Sequence, residues 1–253
     1  DPIQVVLDGG ADFGVAASEL ALHRAQGKPV VALATIVQHS PLILLVNRRQ
    51  VSTVDSLQGS RIMLTPHETE LFAYLRREDI TQFTTVPHSF DTKDLMEGRV
   101  DAMSGYTTDE PYLLRQAGFP YLIFNPNAVG IHFYGDTLFT SEALARKDPD
   151  LVERFRNASI RGWNYALDHP EEVADQIAEM VHQQNPSSDL KELIAFNRFQ
   201  AKKVLELTHY PIVQIGNINP ARWGKMAETM KELGIIKRQP DISALVFDYN
   251  QVR

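Results

Sequence analysis

"PVVALATIVQHSPLILLVN", residues 29–47, decides the architecture of this chain. Residues 29–37 form one apolar, β-branched run and residues 41–47 form another. Each is short for a helix, and neither alternates polar with apolar as a strand with one wet face would. Both read as strands buried on two faces, the pattern of a parallel sheet covered by helices. Gln38-His39-Ser40 ahead of Pro41 splits them, so the stretch is two strands and not one.

The same alternation spreads outward. Upstream, "ADFGVA" (11–16) reads as a short strand and "SELALHRAQG" (18–27) as a helix with Ser18 as N-cap and Gly27 as its stop. Downstream, "VSTVDSLQGSRIMLT" (51–65) reads as a helical turn, a Gly59 break and a strand. "HETELFAYLRRE" (67–78) is a helix, and "FTTVPHS" (83–89) alternates like a strand. "DTKDLMEGRVDAMSGY" (91–106) gives a helix capped by Asp91 and ended by Gly98, then a strand. "DEPYLLRQAGF" (109–119) and "PYLIFNP" (120–126) repeat helix and strand. This rhythm is that of an α/β protein. From residue 141 helices take over, with Pro149, Pro170 and Pro220 each at a first helical turn, where a missing N–H costs nothing.

Bulk properties narrow the function. The chain has 253 residues with 43% apolar content, enough for one large core or two small ones. Net charge is −7 and no Lys/Arg-rich run occurs, so nucleic acid is not an expected partner. The absence of cysteine removes disulfides, zinc–thiolate sites, iron–sulfur clusters and cysteine nucleophiles. No apolar stretch is long enough to span a bilayer, and no signal peptide is visible. A start at Asp1-Pro2 instead of Met is what a trimmed or mature chain would have. The eight histidines are scattered, without HExxH or G-x-S-x-G, and no Gly-rich loop carries a lysine for a phosphate cofactor. No cofactor and no metal site is expected, and catalysis is not indicated.

Two segments, "LDGGADFGVA" (7–16) and "LMEGRVDAMSG" (95–105), each pass from glycine through a small polar step to an aspartate and then a short strand. The pair suggests two similar α/β lobes. Together with "GKPVVALATIVQHSPLILLV", "GYTTDEPYLLRQAG" and "HFYGDTLFTSE", they make the chain resemble the two-lobed periplasmic solute-binding proteins. The resemblance is to the branch that includes pyrimidine thiamine-precursor-binding and synthase-like proteins. The tail "YPIVQIGNINPARWGKMAETMKELGII" (210–236) is similar to extracytoplasmic sensor domains of histidine kinases and diguanylate cyclases. The resemblance implies a two-lobed, periplasmic-binding-protein-like type II fold with mainly parallel sheets and a helix-rich C-terminal part. Lobe one would be residues 1–46 and 135–253, and lobe two residues 47–134. It also implies a strand and helix ahead of residue 1 that contribute to the first lobe.

With that frame, candidate ligand contacts come from strand ends and helix starts, which offer free N–H groups to a cleft. Ser18 begins one helix beside Glu19. Thr65, His67, Glu68 and Thr69 begin a second. Tyr106 and Glu110 begin a third. The bland alternatives are a plain N-cap for Ser18 and dipole-favoured first-turn carboxylates for Glu68 and Glu110. Tyr106, just past a strand end, could stack on a flat ring. His39 and Ser40 could bond a ligand or satisfy hinge backbone. In "VGIHFYGD" (129–136) His132 and Tyr134 alternate toward the cleft with Phe133 toward a core, or Tyr134 packs under the C-terminal helices. Trp163 and Trp223 read as packing anchors.

The expected function is an extracytoplasmic domain, tethered or free, that closes on a small ring-containing ligand such as a pyrimidine. Its partner would be a membrane permease of an ABC transporter or the transmembrane and signalling part of its own receptor. The rival is an enzyme of pyrimidine-precursor synthesis, which would need a reactive His or Lys upstream and pyridoxal phosphate.

Overall fold

The two apolar runs fold as read: β-strands 30–35 and 42–47 are buried at every position. The computed structural model describes residues 1–248. In chain order it holds α1 (Pro2–Leu7), β1 (Phe13–Ala16), α2 (Glu19–Ala25), β2 (Val30–Thr35) and β3 (Leu42–Asn47). Next come β4 (Arg61–Met63), α3 (Thr69–Arg77), β5 (Thr84–Val86), α4 (Lys93–Met96), β6 (Ala102–Tyr106), α5 (Glu110–Gln116), β7 (Tyr121–Phe124) and β8 (Thr137–Ser141). The remainder is α6 (Glu142–Lys147), α7 (Pro149–Asp168), α8 (Pro170–Gln184), α9 (Leu190–Thr208), α10 (Pro220–Glu232) and α11 (Ile242–Leu245).

The strands divide into two sheets, ordered β1-β8-β2 and β5-β4-β6-β3-β7. β2 and β3, adjacent in sequence, therefore belong to different sheets. A first lobe running through residue 46 is corrected by this pairing. β3 bonds to β6 and β7, so residues 42–46 go with the second sheet and the crossover is the polar break before them. The return crossing runs between β7 and β8. The last five residues assigned to the first lobe, 249–253, lie outside the described residues.

The expectation of mainly parallel sheets holds only in part. β4, β5 and β6 pair in parallel, but β3 runs against β6 and β7. In the first sheet β8 runs against both β1 and β2. The reason is topological. β3 and β8 are the strands entered from a crossing segment, so they begin at the end where their neighbours finish.

Helices of the C-terminal part start where their prolines and caps dictate. Asp148 accepts from Leu151 N–H at 2.9 Å ahead of α7, and Asn219 accepts from Ala221 N–H at 2.9 Å ahead of α10. α8 and α9 form an antiparallel hairpin, tied by Arg198 to both oxygens of Asp175 at 2.7 Å. One core links α1, α2, α3 and α10 across both sheets through Leu20, Leu44, Leu71, Phe139 and Trp223. A second lies under α6 and α7, and a third fills the outer face of the five-stranded sheet around Ile43, Met103 and Leu114. Each fully buried aliphatic side chain stabilises by about 1.5–3 kcal/mol relative to exposure.

Candidate functional site

Where β1, β4 and β6 end, the chain turns into α2, α3 and α5. Those three turns converge, with the two crossing segments, on a cavity of about 190 Å³. Ser18 comes from the first turn and Ser40 from the first crossing. Thr65, His67, Glu68 and Thr69 come from the second turn, and Tyr106 and Glu110 from the third. These eight of the ten expected residues meet in one cleft.

His39 and Tyr134 do not, and both are corrections. The Tyr134 ring is 1% exposed. Its centroid is 5.4 Å from that of Trp223, and the Arg222 guanidinium sits 4.0 Å above its face. The alternation expected along 131–136 does not hold: Phe133 and Tyr134 are both buried, and α10 covers Tyr134. His39 lies behind the cleft, with its ring 4.6 Å from that of His209 and 6.5 Å from that of His132. Burial first, then Arg222 and the two neighbouring histidines, push its pKa down to about 4. His132 is exposed and faces Asn127 at 3.1 Å, away from the cleft.

Ser18 stands at the N-cap position, yet its side chain makes no capping bond. Glu19 instead reaches back to the chain ahead of the helix, accepting from Ala17 N–H at 3.0 Å. The bland reading of Ser18 as a plain cap is therefore replaced by a buried hydroxyl on the cleft wall.

Carboxylates dominate the lining. Glu68 accepts from Thr65 N–H at 2.9 Å and from the Ser104 hydroxyl at 2.7 Å, which locks it across the floor. Glu110 accepts from Tyr106 N–H at 2.7 Å. Gly105 makes that approach possible, because a Cβ there would stand 2.7 Å from Glu110 Oε2 and 2.8 Å from Leu45 Cδ1. Glu70 and Asp136 join them, and neither was singled out from sequence. Burial raises the pKa of Glu19, Glu68, Glu110 and Asp136 above the ordinary carboxylate range. Asp136 stays open to the cleft itself, so its shift reflects the surrounding walls. Glu70, from the first turn of α3, is pushed up to about 8 by burial, against a nearby Ser40 hydroxyl that lowers it.

The other residues that the sequence reading missed are His88 and Phe90. The His88 Nδ1 accepts from Phe90 N–H at 2.9 Å, and Nε2 lies 3.1 Å from the Ser104 carbonyl, so that nitrogen is the one that donates. Phe90 is 79% exposed at the cleft mouth with a positive φ of 61°, and Tyr106 is 47% exposed. A bulky non-glycine residue in the left-handed region is strained, and such residues cluster at ligand clamps. The signal was in "VPHSF" (86–90), a proline-broken loop after β5, but nothing local marks it as lining a cleft. Trp223 is fully buried and Trp163 packs against the second core, as anchors should. Among the described residues no group of three His, Asp or Glu is placed to hold a metal, and no helix is long and apolar enough to cross a membrane.

Residues 1–173 match the family model described as NMT1/THI5 like. Over 236 residues the chain is 24% identical to the riboflavin-binding protein RibY of Chloroflexus aurantiacus, covering 89% of this chain and 66% of that one. It thus spans just under two thirds of that relative. Among solved structures it is similar to the alkanesulfonate-binding protein SsuA from Xanthomonas axonopodis pv. citri bound to MOPS. There the TM-score is 0.68 at 15% identity, covering 97% of this chain and 83% of that one. The putative sulfonate ABC transporter, periplasmic sulfonate-binding protein SsuA from Methylobacillus flagellatus KT gives 0.59 at 15% identity, covering 98% and 75%. At these identities the structural likeness speaks for the fold, that of periplasmic binding proteins.

Proposed function

Because the chain belongs to the NMT1/THI5-like family, we propose that it is an extracytoplasmic ligand-binding domain whose two lobes close on a small ring-containing molecule. The lobes correspond to the two sheets with their helices, and the hinges to residues 36–41 and 125–136. The observation that carries this reading is the placement of Phe90 and Tyr106, two exposed aromatic rings at the mouth of a cleft lined by polar strand ends from both sheets. Exposed rings there give a flat ligand stacking area that water would otherwise cover. Closure would bury them, as in hinge-bending binders. RibY is named for binding riboflavin, itself a flat heterocycle, and this supports a ring ligand here. The partner is a permease or the membrane-spanning part of a receptor. The 210–236 tail, with its sensor-domain resemblance, supports the receptor.

The test is thermal unfolding of the chain with a panel of pyrimidines, thiamine precursors and flavins. A ligand at about a hundred times its Kd adds about 2.7 kcal/mol to stability. Tyr106→Ala and Phe90→Ala should each weaken a hit by about tenfold, the value of one lost ring contact of about 1.4 kcal/mol. A hit indifferent to both substitutions would sink the proposed site.

A further inference from the structure

The cleft is charged on one side only. Glu19, Glu68, Glu70, Glu110 and Asp136 line it, and among the described residues no lysine or arginine does. Among the described residues His67 and His88 supply the nitrogen-bearing side chains of the lining, and His88 is already engaged on both nitrogens. Three of the carboxylates spend an oxygen on nearby backbone N–H groups.

Glu70 is different. Its residue is 2% exposed, and its Oε1 is buried with no hydrogen-bond partner. Thr69 beside it is 4% exposed, and its Oγ1 is likewise buried and unpartnered. Both residues line the cleft, and a buried polar atom left without a partner is costly. Beside the hydroxyls of Ser18, Ser40, Thr65 and Tyr106, the wall therefore carries a buried carboxyl oxygen that no donor reaches.

Resting on the ligand-binding reading above, we infer that the ligand is a small organic cation — an ammonium, an amidinium or an amino-substituted ring cation — whose N–H groups reach Glu70 and Thr69. A sulfonate or carboxylate would meet five carboxyl groups and, among the described residues, no guanidinium or ammonium. Each of them that is ionised would repel it. A cation instead supplies a donor to Glu70 and is paired on several sides. The cleft's size admits a single ring or a short chain. Cation binding favours the charged form of each carboxylate facing it, namely Glu19, Glu68, Glu70, Glu110 and Asp136. Their pKa values fall on binding and protons are released.

The experiment is calorimetric titration of the full chain in buffers free of organic cations, with two shape-matched sets. One set is benzamidinium, benzamide and benzoate; the other is cyclohexylammonium and cyclohexanecarboxylate. At least one cation should bind more than about tenfold tighter than its matched anion. Repeated in buffers of different ionisation enthalpy, its binding should release protons. Glu70→Gln and, separately, Thr69→Val, both near-isosteric, should each weaken it. The inference is overturned if the anion or the neutral amide binds as tightly, if protons are taken up, if both variants bind like wild type, or if neither cation binds at millimolar concentration. Should a neutral flavin or pyrimidine then bind in a Tyr106-dependent manner, the ligand-binding reading survives and the cation does not. Should no compound of any charge bind, both fall.

Discussion

Glu70→Gln should change how stability responds to pH, and in the direction opposite to an ordinary surface carboxylate. Glu70 is enclosed, with its pKa raised from 4.5 to about 8 by burial. Below its unfolded pKa the residue is protonated in both states and contributes nothing to the pH dependence. Between the two values the folded chain keeps a proton that the unfolded chain has lost. Stability then falls as pH rises through that window, and the full cost is present above the folded pKa. The limiting slope is about 1.4 kcal/mol per pH unit. From about pH 6 to about pH 8 the bound is therefore about 2.7 kcal/mol. Glutamine keeps the shape and cannot ionise. Any unpaired amide it introduces shifts stability by a constant, so the slope and not the offset carries the information. The assay is ligand-free unfolding of wild type and variant across that range, subtracting one curve from the other. The subtraction cancels Glu68, Glu110 and Asp136, which shift the same way, while Glu19, which acts on Glu70 directly, is counted with it. It also cancels His23 and His39, which oppose them. The variant should gain about 1–3 kcal/mol on wild type between the two ends, several degrees in Tm for a chain of this length. Parallel curves would refute the account of Glu70 as an enclosed carboxyl that holds its proton in the folded chain.

Gly105→Ala should lose about 1–3 kcal/mol in denaturant unfolding, because its Cβ would collide with Glu110 and Leu45 in a close-packed strand; wild-type stability would show that the site can yield. Tyr134→Ala should cost about 3–5 kcal/mol as a core truncation, while a cleft ligand's affinity stays within about twofold in the variant that remains folded. A selective loss of affinity at unchanged stability would return Tyr134 to the cleft. His39, with a pKa lowered to about 4 from 6.5, is neutral when folded and charged when unfolded in mild acid. Its contribution is intact above about pH 6.5 and is lost as pH falls toward about 4, so His39→Asn should flatten the acid side of the stability profile, and an unchanged acid limb would contradict it.

Local signals made much of this chain readable. The buried runs of β2 and β3, the prolines opening α7, α8 and α10, and the strand-to-helix turns at Ser18, Thr65 and Tyr106 all depend on residues close in sequence. Because ligand contacts of this architecture sit at such turns, most of the cleft wall followed from finding them. Glu70 and Asp136 were harder. Glu70 looks like a dipole-favoured carboxylate in a helix's first turn, and Asp136 looks like half of a bend. Neither residue's surroundings are encoded nearby. His39 and Tyr134 failed for a related reason: strand alternation tells which residues share a face and not which element covers it. The covering helix, α10, lies far along the chain and carries Arg222 and Trp223 onto Tyr134.

The sequence by itself determined that this is an α/β chain with two kinds of sheet-forming unit and a helical C-terminal part, because apolar periodicity and capping act over a few residues. Only the tertiary structure decided that β2 and β3 part into different sheets and that five carboxyl groups line one cleft with, among the described residues, no lysine or arginine. Pairing and desolvation are set by partners brought from elsewhere in the chain. A glutamate's charge is written in the sequence, but whether it is solvated, paired or buried and waiting for a donor depends on which walls close around it.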